Sequence, residues 1–365
     1  MEELDLDAII VTTFDNVRYV TDCRPYFAAS YYVNTYAAIL SRDASPIAQG
    51  PVLEGAPMGL ARPVSGWEGY PMVPVPTIAS RWVSMIVDLL EQNSIRAGRI
   101  GIDDISFITY LEFEKMSTRY TIIPIFNEMI RVRAIKNEEE IKLLRHAAKI
   151  VDIGAEAGLE AMKVGMKERE IVAQMSKAMY AAGSEAEPWA SSLSSGSRAL
   201  SSVFSSEKSL RDGELATFDI GCIYEGYLGD IARTGGVGNV DHESKVVYTA
   251  AYESLLAGTK EIRPGVLSSR IDEKIRETLS AAGCTVPALS TGHGIGVGAP
   301  EIPWITPKTS GLEDFELKAG MVLCLEPRTA RDHVAAAGCE DMILVTDGGH
   351  EVLTKCRKEE HLLLR

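Results

Sequence analysis

Residues 218–235 read FDIGCIYEGYLGDIARTG, and this stretch decides the fold of the half of the chain that contains it. Apolar arms flank a centre in which Gly221, Gly226 and Gly229 are available for a turn. The segment therefore reads as a β-hairpin. Each arm carries an acidic residue, Asp219 on the first and Asp230 on the second. A hairpin sets such residues on adjacent strands, where two carboxylates held together repel unless a cation bridges them.

Working outward, two more carboxylates sit in or beside apolar strand-like runs: Glu326 in MVLCLEP and Glu340 in CEDMILVT. A buried, unpaired carboxylate is costly or takes up a proton. Any one of them alone reads more readily as a strand-end group facing water. Several in one domain require a cationic partner, and Lys and Arg are scarce in these segments, so a metal is the economical explanation. The chain has six histidines. His146, His242, His333, His350 and His361 lie in polar or helical contexts and read as solvated. His293 lies in TGHGIG, where flanking glycines let the backbone crowd close to a bound group. Asp219, Asp230, His293, Glu326 and Glu340 are thus the candidate ligands of two divalent metal ions. Four carboxylates balance two such ions, and a bridging water there ionises readily to hydroxide. Oxygen-rich ligation with one imidazole suits Mn, Fe or Co at least as well as Zn. GHGIGVG at 292–298 also contains the spacing of a dinucleotide loop. Pro300 and Pro303 follow it, where a phosphate site needs a helix N-terminus, so that reading fails.

The 365 residues suffice for two domains. A net charge of −14 argues against nucleic-acid binding, since phosphates would be repelled. No apolar run reaches the length of a membrane span, about 18 residues, and no membrane partner is expected. The opening Met1-Glu2-Glu3-Leu4-Asp5 lacks the basic and apolar regions of a signal peptide. The six cysteines, Cys23, Cys222, Cys284, Cys324, Cys339 and Cys356, show no C-x-x-C spacing and read as reduced core thiols. A cytoplasmic protein is the expectation.

Toward the N-terminus, 8–13, 37–40, 99–103 and 121–126 read as strands, with helices at 79–92 and 106–117. This is an α/β domain ending near residue 130. Asn137 followed by Glu140 has the form of a capping box that opens a long amphipathic helix. A second helix covers about 167–182, and others about 242–259 and 268–282. Residues 191–209 contain ten serines in nineteen positions, which fits either a polar loop or a pocket lining. The second half reads as α+β, with helices on one face of a mainly antiparallel sheet.

The chain resembles the creatinase, aminopeptidase P and prolidase family over nearly its whole length. LDAIIVTTFDNVRYVTDC at 6–23 and IRVRAIKNEEEIKLLRHAA at 130–148 are similar to its N-domain opening and its linker with first catalytic helix. The segments at 218–235, GHGIG at 292–296, LEP at 325–327 and CEDMILVT at 339–346 match its metal-ligand segments in order. The resemblance implies an α+β architecture: an N-terminal α/β (ribonuclease H-like) domain at 1–130, then a pita-bread catalytic domain at 131–365. It implies that Asp219 chelates one ion, that Asp230 and Glu340 bridge both, and that His293 and Glu326 hold the other. It also implies a homodimer whose N-domain loops help to close the partner's site.

Two positions depart from the family's peptidases. Val203 and Pro300 stand where histidines would hold the substrate carbonyl and shuttle protons, and neither residue can do so. The leading expectation is a dinuclear hydrolase whose bridging hydroxide attacks a small amide-like, non-peptide C–N bond, with Glu326 as the proton acceptor. An Xaa-Pro dipeptidase or aminopeptidase, a metal-assisted lyase and a non-catalytic binding protein are the alternatives. Arg24 and Tyr32, in an aromatic cluster with Tyr26, Phe27 and Tyr31, are candidate contacts to a small-molecule or dipeptide-like substrate, as are Glu301 and Arg328. For Arg328, a structural ion pair is an equal expectation.

Overall fold

The computed structural model describes residues 1–22, 37–42, 46–51, 62–67, 75–116, 118–199, 204–286 and 289–357. Arg24, Tyr26, Phe27, Tyr31, Tyr32 and Val203 lie outside these residues. The chain divides into two compact units, Met1–Val132 and Arg133–Arg365.

The first unit is a six-stranded mixed sheet between helices. Its strands are β1 (Ala8–Val11), β2 (Ala37–Ser41), β3 (Ile47–Pro51), β4 (Arg62–Trp67), β5 (Gly98–Ile102) and β6 (Tyr120–Pro124), in the order β4-β3-β2-β1-β5-β6. Its helices are α1 (Phe14–Thr21), α2 (Val75–Gln92), α3 (Phe107–Met116) and α4 (Phe126–Arg133). Because strand side chains alternate between faces, Ala8 and Ile10 pack with Trp82 and Ile86 of α2 and Phe113 of α3. Val11 packs on the other face with Val17 of α1 and Met129 of α4. The sequence reading missed α1 and ran the last strand to residue 126, two residues past its end, into α4. Both helices have eight residues, too few for a clear apolar period.

The second unit begins with α5 (Glu138–Ala161) and α6 (Glu168–Ala181). Asn137 caps α5 by accepting from Glu139 N and Glu140 N, while Glu140 accepts from Asn137 N at 2.9 Å. Next come β7 (Ser192–Ser195), β8 (Leu215–Tyr224) and β9 (Tyr227–Gly236), which form one sheet. α7 (His242–Glu261) and α8 (Ser268–Ala281) precede β10 (Gly292–Gly294), β11 (Glu301–Ile305) and β12 (Val322–Leu325). The remaining strands are β13 (Arg328–Arg331), β14 (Ala335–Gly338), β15 (Asp341–Thr346) and β16 (Gly349–Val352). A five-stranded sheet runs β11-β10-β12-β15-β16, and β13-β14 stands apart. Every strand pairing of this unit among the described residues is antiparallel. The expected single sheet is thus three sheets around one apolar core, to which Ile150, Met175, Phe218, Val247, Ile275 and Leu323 all contribute.

The serine-rich segment is more than a polar loop. Ser192–Ser195 pairs with β8 as an edge strand. The buried Glu168 carboxylate accepts from Ser195 N and Oγ, Ser206 N and Oγ, and Arg198. Burial raises its pKa, but the hydrogen bonds from Ser206 and Ser195 outweigh this and hold it below the ordinary range.

Arg233 ties the hairpin to β15. Its side chain is fully buried and donates to the carbonyls of Ala232, Glu340 and Cys356, and to Asp341 Oδ1 at 2.8 Å. Breaking a buried pair by removing one partner costs about 3–5 kcal/mol, because the other charge is left uncompensated. Arg233→Met should destabilise the second unit by this amount. Amide hydrogen exchange should quicken in β9 and β15 and stay unchanged in β1 and β5; equal rates in β9 would refute the anchoring role.

Candidate metal centre

The hairpin sets the geometry of the centre. Glu225 (φ 49°) and Gly226 (φ 79°) are the two turn residues, a left-handed pair that matches strand twist. Gly221 and Gly229 lie in the ladder instead, opposite Asp230 and Cys222. Asp219 faces Ala232, two residues beyond Asp230, so the two carboxylates are diagonal neighbours on one face. His293 is the central residue of β10, directly opposite Cys324 of β12. Its flanking glycines serve neighbouring strands rather than a bound group. A Cβ on Gly292 would stand 2.4 Å from the Cys324 carbonyl oxygen, and one on Gly294 would stand 2.2 Å from that of Ile302. Glu326 follows β12 directly, and Glu340 immediately precedes β15.

All five expected ligands line one cavity of about 290 Å³, with Arg328 beside them and Trp189, Ala299, Pro300 and Trp304 forming its apolar wall. His293 Nε2 lies 3.8 Å from Asp230 Oδ2 and 3.7 Å from Glu326 Oε1. Its Nδ1 is 2.9 Å from the Gly294 carbonyl oxygen, which fixes Nδ1 as the protonated nitrogen and leaves the Nε2 lone pair free toward the carboxylates. Donor atoms of Asp230, His293, Cys324 and Glu340 fall within 4.8 Å of one another. Cys324 is therefore a neighbour of the centre, which the sequence reading, treating it as a core thiol, missed. A larger cavity of about 560 Å³, lined by Glu214, Asp241, Arg331 and His333 among others, contains none of the expected ligands.

The electrostatics fit a cation. Asp230 and Glu340 are buried, and Asp230 Oδ1 and Glu340 Oε1 have no hydrogen-bond partner. Burial, and then the charges of Asp219 and Glu326, push the Asp230 carboxyl well above its usual range. Burial, then Asp230 and Glu326, do the same to Glu340. Burial, followed by Asp230 and Glu340, raises the Cys324 thiol. Arg328 is the protein's own answer to this charge. Nη2 lies 2.5 Å from Asp219 Oδ2 and 3.1 Å from Glu326 Oε2. Burial works against its charge, but Asp219 and Glu326 more than reverse that.

Glu301 does not join the site. It is 2% exposed, with Oε1 2.9 Å from Arg133 Nη2 and 3.1 Å from Gly298 N, and Oε2 3.3 Å from Lys136 Nζ. Both oxygens are engaged by these partners, and Glu301 is not among the residues that line the cavity. Pro300, by contrast, does face the cavity.

A pH dependence follows for the metal-free protein. A carboxyl whose folded pKa is raised stabilises the fold below its unfolded value, near pH 4, and that contribution is lost as pH rises through the raised values. Chelated wild type should therefore lose melting temperature with rising pH relative to the Asp230→Asn/Glu340→Gln double variant, and added Mn²⁺ should restore it. Parallel melting profiles of the two chelated proteins would rule out mutual repulsion at the centre.

Comparison with known proteins identifies the family. The profile described as "Metallopeptidase family M24" matches residues 142–347, more than half of the chain. An uncharacterized peptidase of Bacillus subtilis is 27% identical over 362 residues, 98% of this chain and 96% of the relative. An Xaa-Pro dipeptidase of Pyrococcus horikoshii is 32% identical over 236 residues, 64% of this chain and 66% of the relative. Among solved structures, a dipeptidase from Pyrococcus horikoshii aligns with a TM-score of 0.84 at 25% identity, covering 98% of this chain and 96% of that one. Prolidase from Pyrococcus furiosus aligns at 0.83 and 24%, covering 98% of both. The fold is that of the prolidases, an N-terminal α/β domain followed by a pita-bread domain, and the chain belongs to metallopeptidase family M24, a family of metal-dependent hydrolases.

Proposed function

We propose that this chain hydrolyses a small amide-like C–N bond at a centre where Asp219, Asp230, His293, Glu326 and Glu340 hold up to two divalent ions of Mn, Fe, Co or Zn. The observation that carries this reading is the pair of buried, unpartnered oxygens, Asp230 Oδ1 and Glu340 Oε1, on two of the five side chains that line one cavity. Such oxygens are costly to keep without a cation. When bound, the ions supply an activated water and polarise the substrate carbonyl.

The residues of the chain do the rest. Glu326 is the most accessible carboxylate of the cage after Asp219, with 21% of its side chain exposed, which suits it to accept a proton from the attacking water at Oε1. Trp189, Trp304 and Pro300 exclude solvent on one side and favour an apolar group there. The volume, about 290 Å³, lies at the lower end of ligand pockets, about 300–1,000 Å³, and so favours a small substrate over a long peptide.

Xaa-Pro dipeptide cleavage is the second reading, favoured by the 32% identity to the Pyrococcus horikoshii dipeptidase. Pro300 argues against it, since a ring without a donor lines the cavity where an imidazole would hold the scissile carbonyl. General acid–base help of that kind is worth about 10²–10⁴-fold. Proline dipeptides should accordingly be cleaved with kcat/KM well below about 10⁴ M⁻¹s⁻¹, and Pro300→His should raise it. A screen of small amides and dipeptides with Mn-, Fe-, Co- and Zn-loaded protein tests both readings. Efficient proline-dipeptide turnover by wild type would overturn the non-peptide reading. The hydrolase reading itself fails if no substrate is turned over, or if Asp230→Ala leaves turnover intact.

A further inference from the structure

The five expected ligands are not equally in need of a cation. Asp230 and Glu340 each present a buried oxygen without a partner, and with His293 Nε2 they form a compact donor set. Asp219 and Glu326 sit at the rim and are already paired with Arg328. The sequence builds that pairing locally. Glu326 and Arg328 are two residues apart, on either side of Pro327. Arg328 Nε lies 3.2 Å from Glu326 Oε2, while Nη2 reaches across to Asp219 Oδ2 at 2.5 Å. One planar guanidinium thus bridges the two outer carboxylates, as a second metal ion would.

Charge balance points the same way. One divalent ion at the inner set leaves residual negative charge, which Arg328 offsets.

We propose, building on the metal-centre reading above, that Arg328 is a built-in cation occupying the Asp219 side of the centre. The centre then binds one divalent ion tightly through Asp230, His293 and Glu340, and a second only by displacing Arg328 from Asp219. Displacement breaks charge-assisted hydrogen bonds, which sets the second ion about 10- to 100-fold weaker than the first. It also frees a guanidinium in the cavity to accept an anionic group of the substrate, so the first and second ions differ in consequence as well as affinity.

The test is titration of chelated, full-length protein with Mn²⁺ alone, followed by calorimetry and by electron paramagnetic resonance, for wild type, Arg328→Met and Arg328→Lys. Wild type should show one tight ion, with the six-line signal of isolated Mn²⁺ up to one equivalent, and a second site at least about 10-fold weaker. Arg328→Met should bind two ions of similar affinity and give the broadened signal of a coupled pair. Arg328→Lys, which keeps the charge but not the planar fork, should fall between wild type and Arg328→Met. Two equally tight ions in wild type would overturn the role of Arg328 whatever the fate of the variants, and would leave the centre itself standing. So would a single ion in well-folded Arg328→Met. Absence of binding in every protein would overturn the centre, and this inference with it.

Discussion

Burial of two carboxylates against each other is the constraint around which the second unit is arranged. Asp230 and Glu340 are held inside the protein with an oxygen apiece unpartnered, an arrangement that folding alone disfavours because desolvation and mutual repulsion add. Each surrounding feature holds them in place regardless. The Glu225–Gly226 turn fixes the hairpin register that puts Asp219 and Asp230 on one face. Arg233 grips the backbone carbonyl of Glu340 from the neighbouring strand. Glu340 N in turn donates to the Ala232 carbonyl at 2.9 Å, so the two carboxylate-bearing segments are stitched from both sides. The local cost at the centre is carried by a core that extends from α5 to β15.

The residues that make up that constraint were legible in the sequence because each carries a local signal. Acidic residues inside apolar runs, glycines around one histidine and glycines able to turn a hairpin are each visible within a short stretch, and all five side chains do meet in one cavity. What escaped were interactions between distant residues. Nothing near Glu168 announces that serines almost thirty to forty positions later will saturate its carboxylate. Nothing near Cys324 identifies it as a donor beside Glu340, because a cysteine in an apolar strand looks the same whether or not its neighbours are charged. The glycines of GHGIG were recognised as special, but their reason is steric contact with adjacent strands, which only the register reveals. Short helices were missed for a different reason: eight residues give two turns, and two turns do not establish a period.

Two ion-pair clusters in this unit use the same residue types for different ends, and solvent access separates them. Glu301, Arg133 and Lys136 have side chains exposed by 1–3%. No ligand can reach such a cluster, and burial lowers the affinity of Lys136 for its proton even with Glu301 beside it. Its energetics are those of a buried network, in which loss of one member strands the others. Asp219, Glu326 and Arg328 are exposed by 26%, 21% and 31% and open on the cavity. They are only partly buried, so each can be exchanged for a competing ion without stranding a charge in the core. A structural clamp must not exchange its partners, whereas a centre that admits metal and substrate must. The difference in exposure is what makes Glu301 part of the wall and Arg328 part of the site.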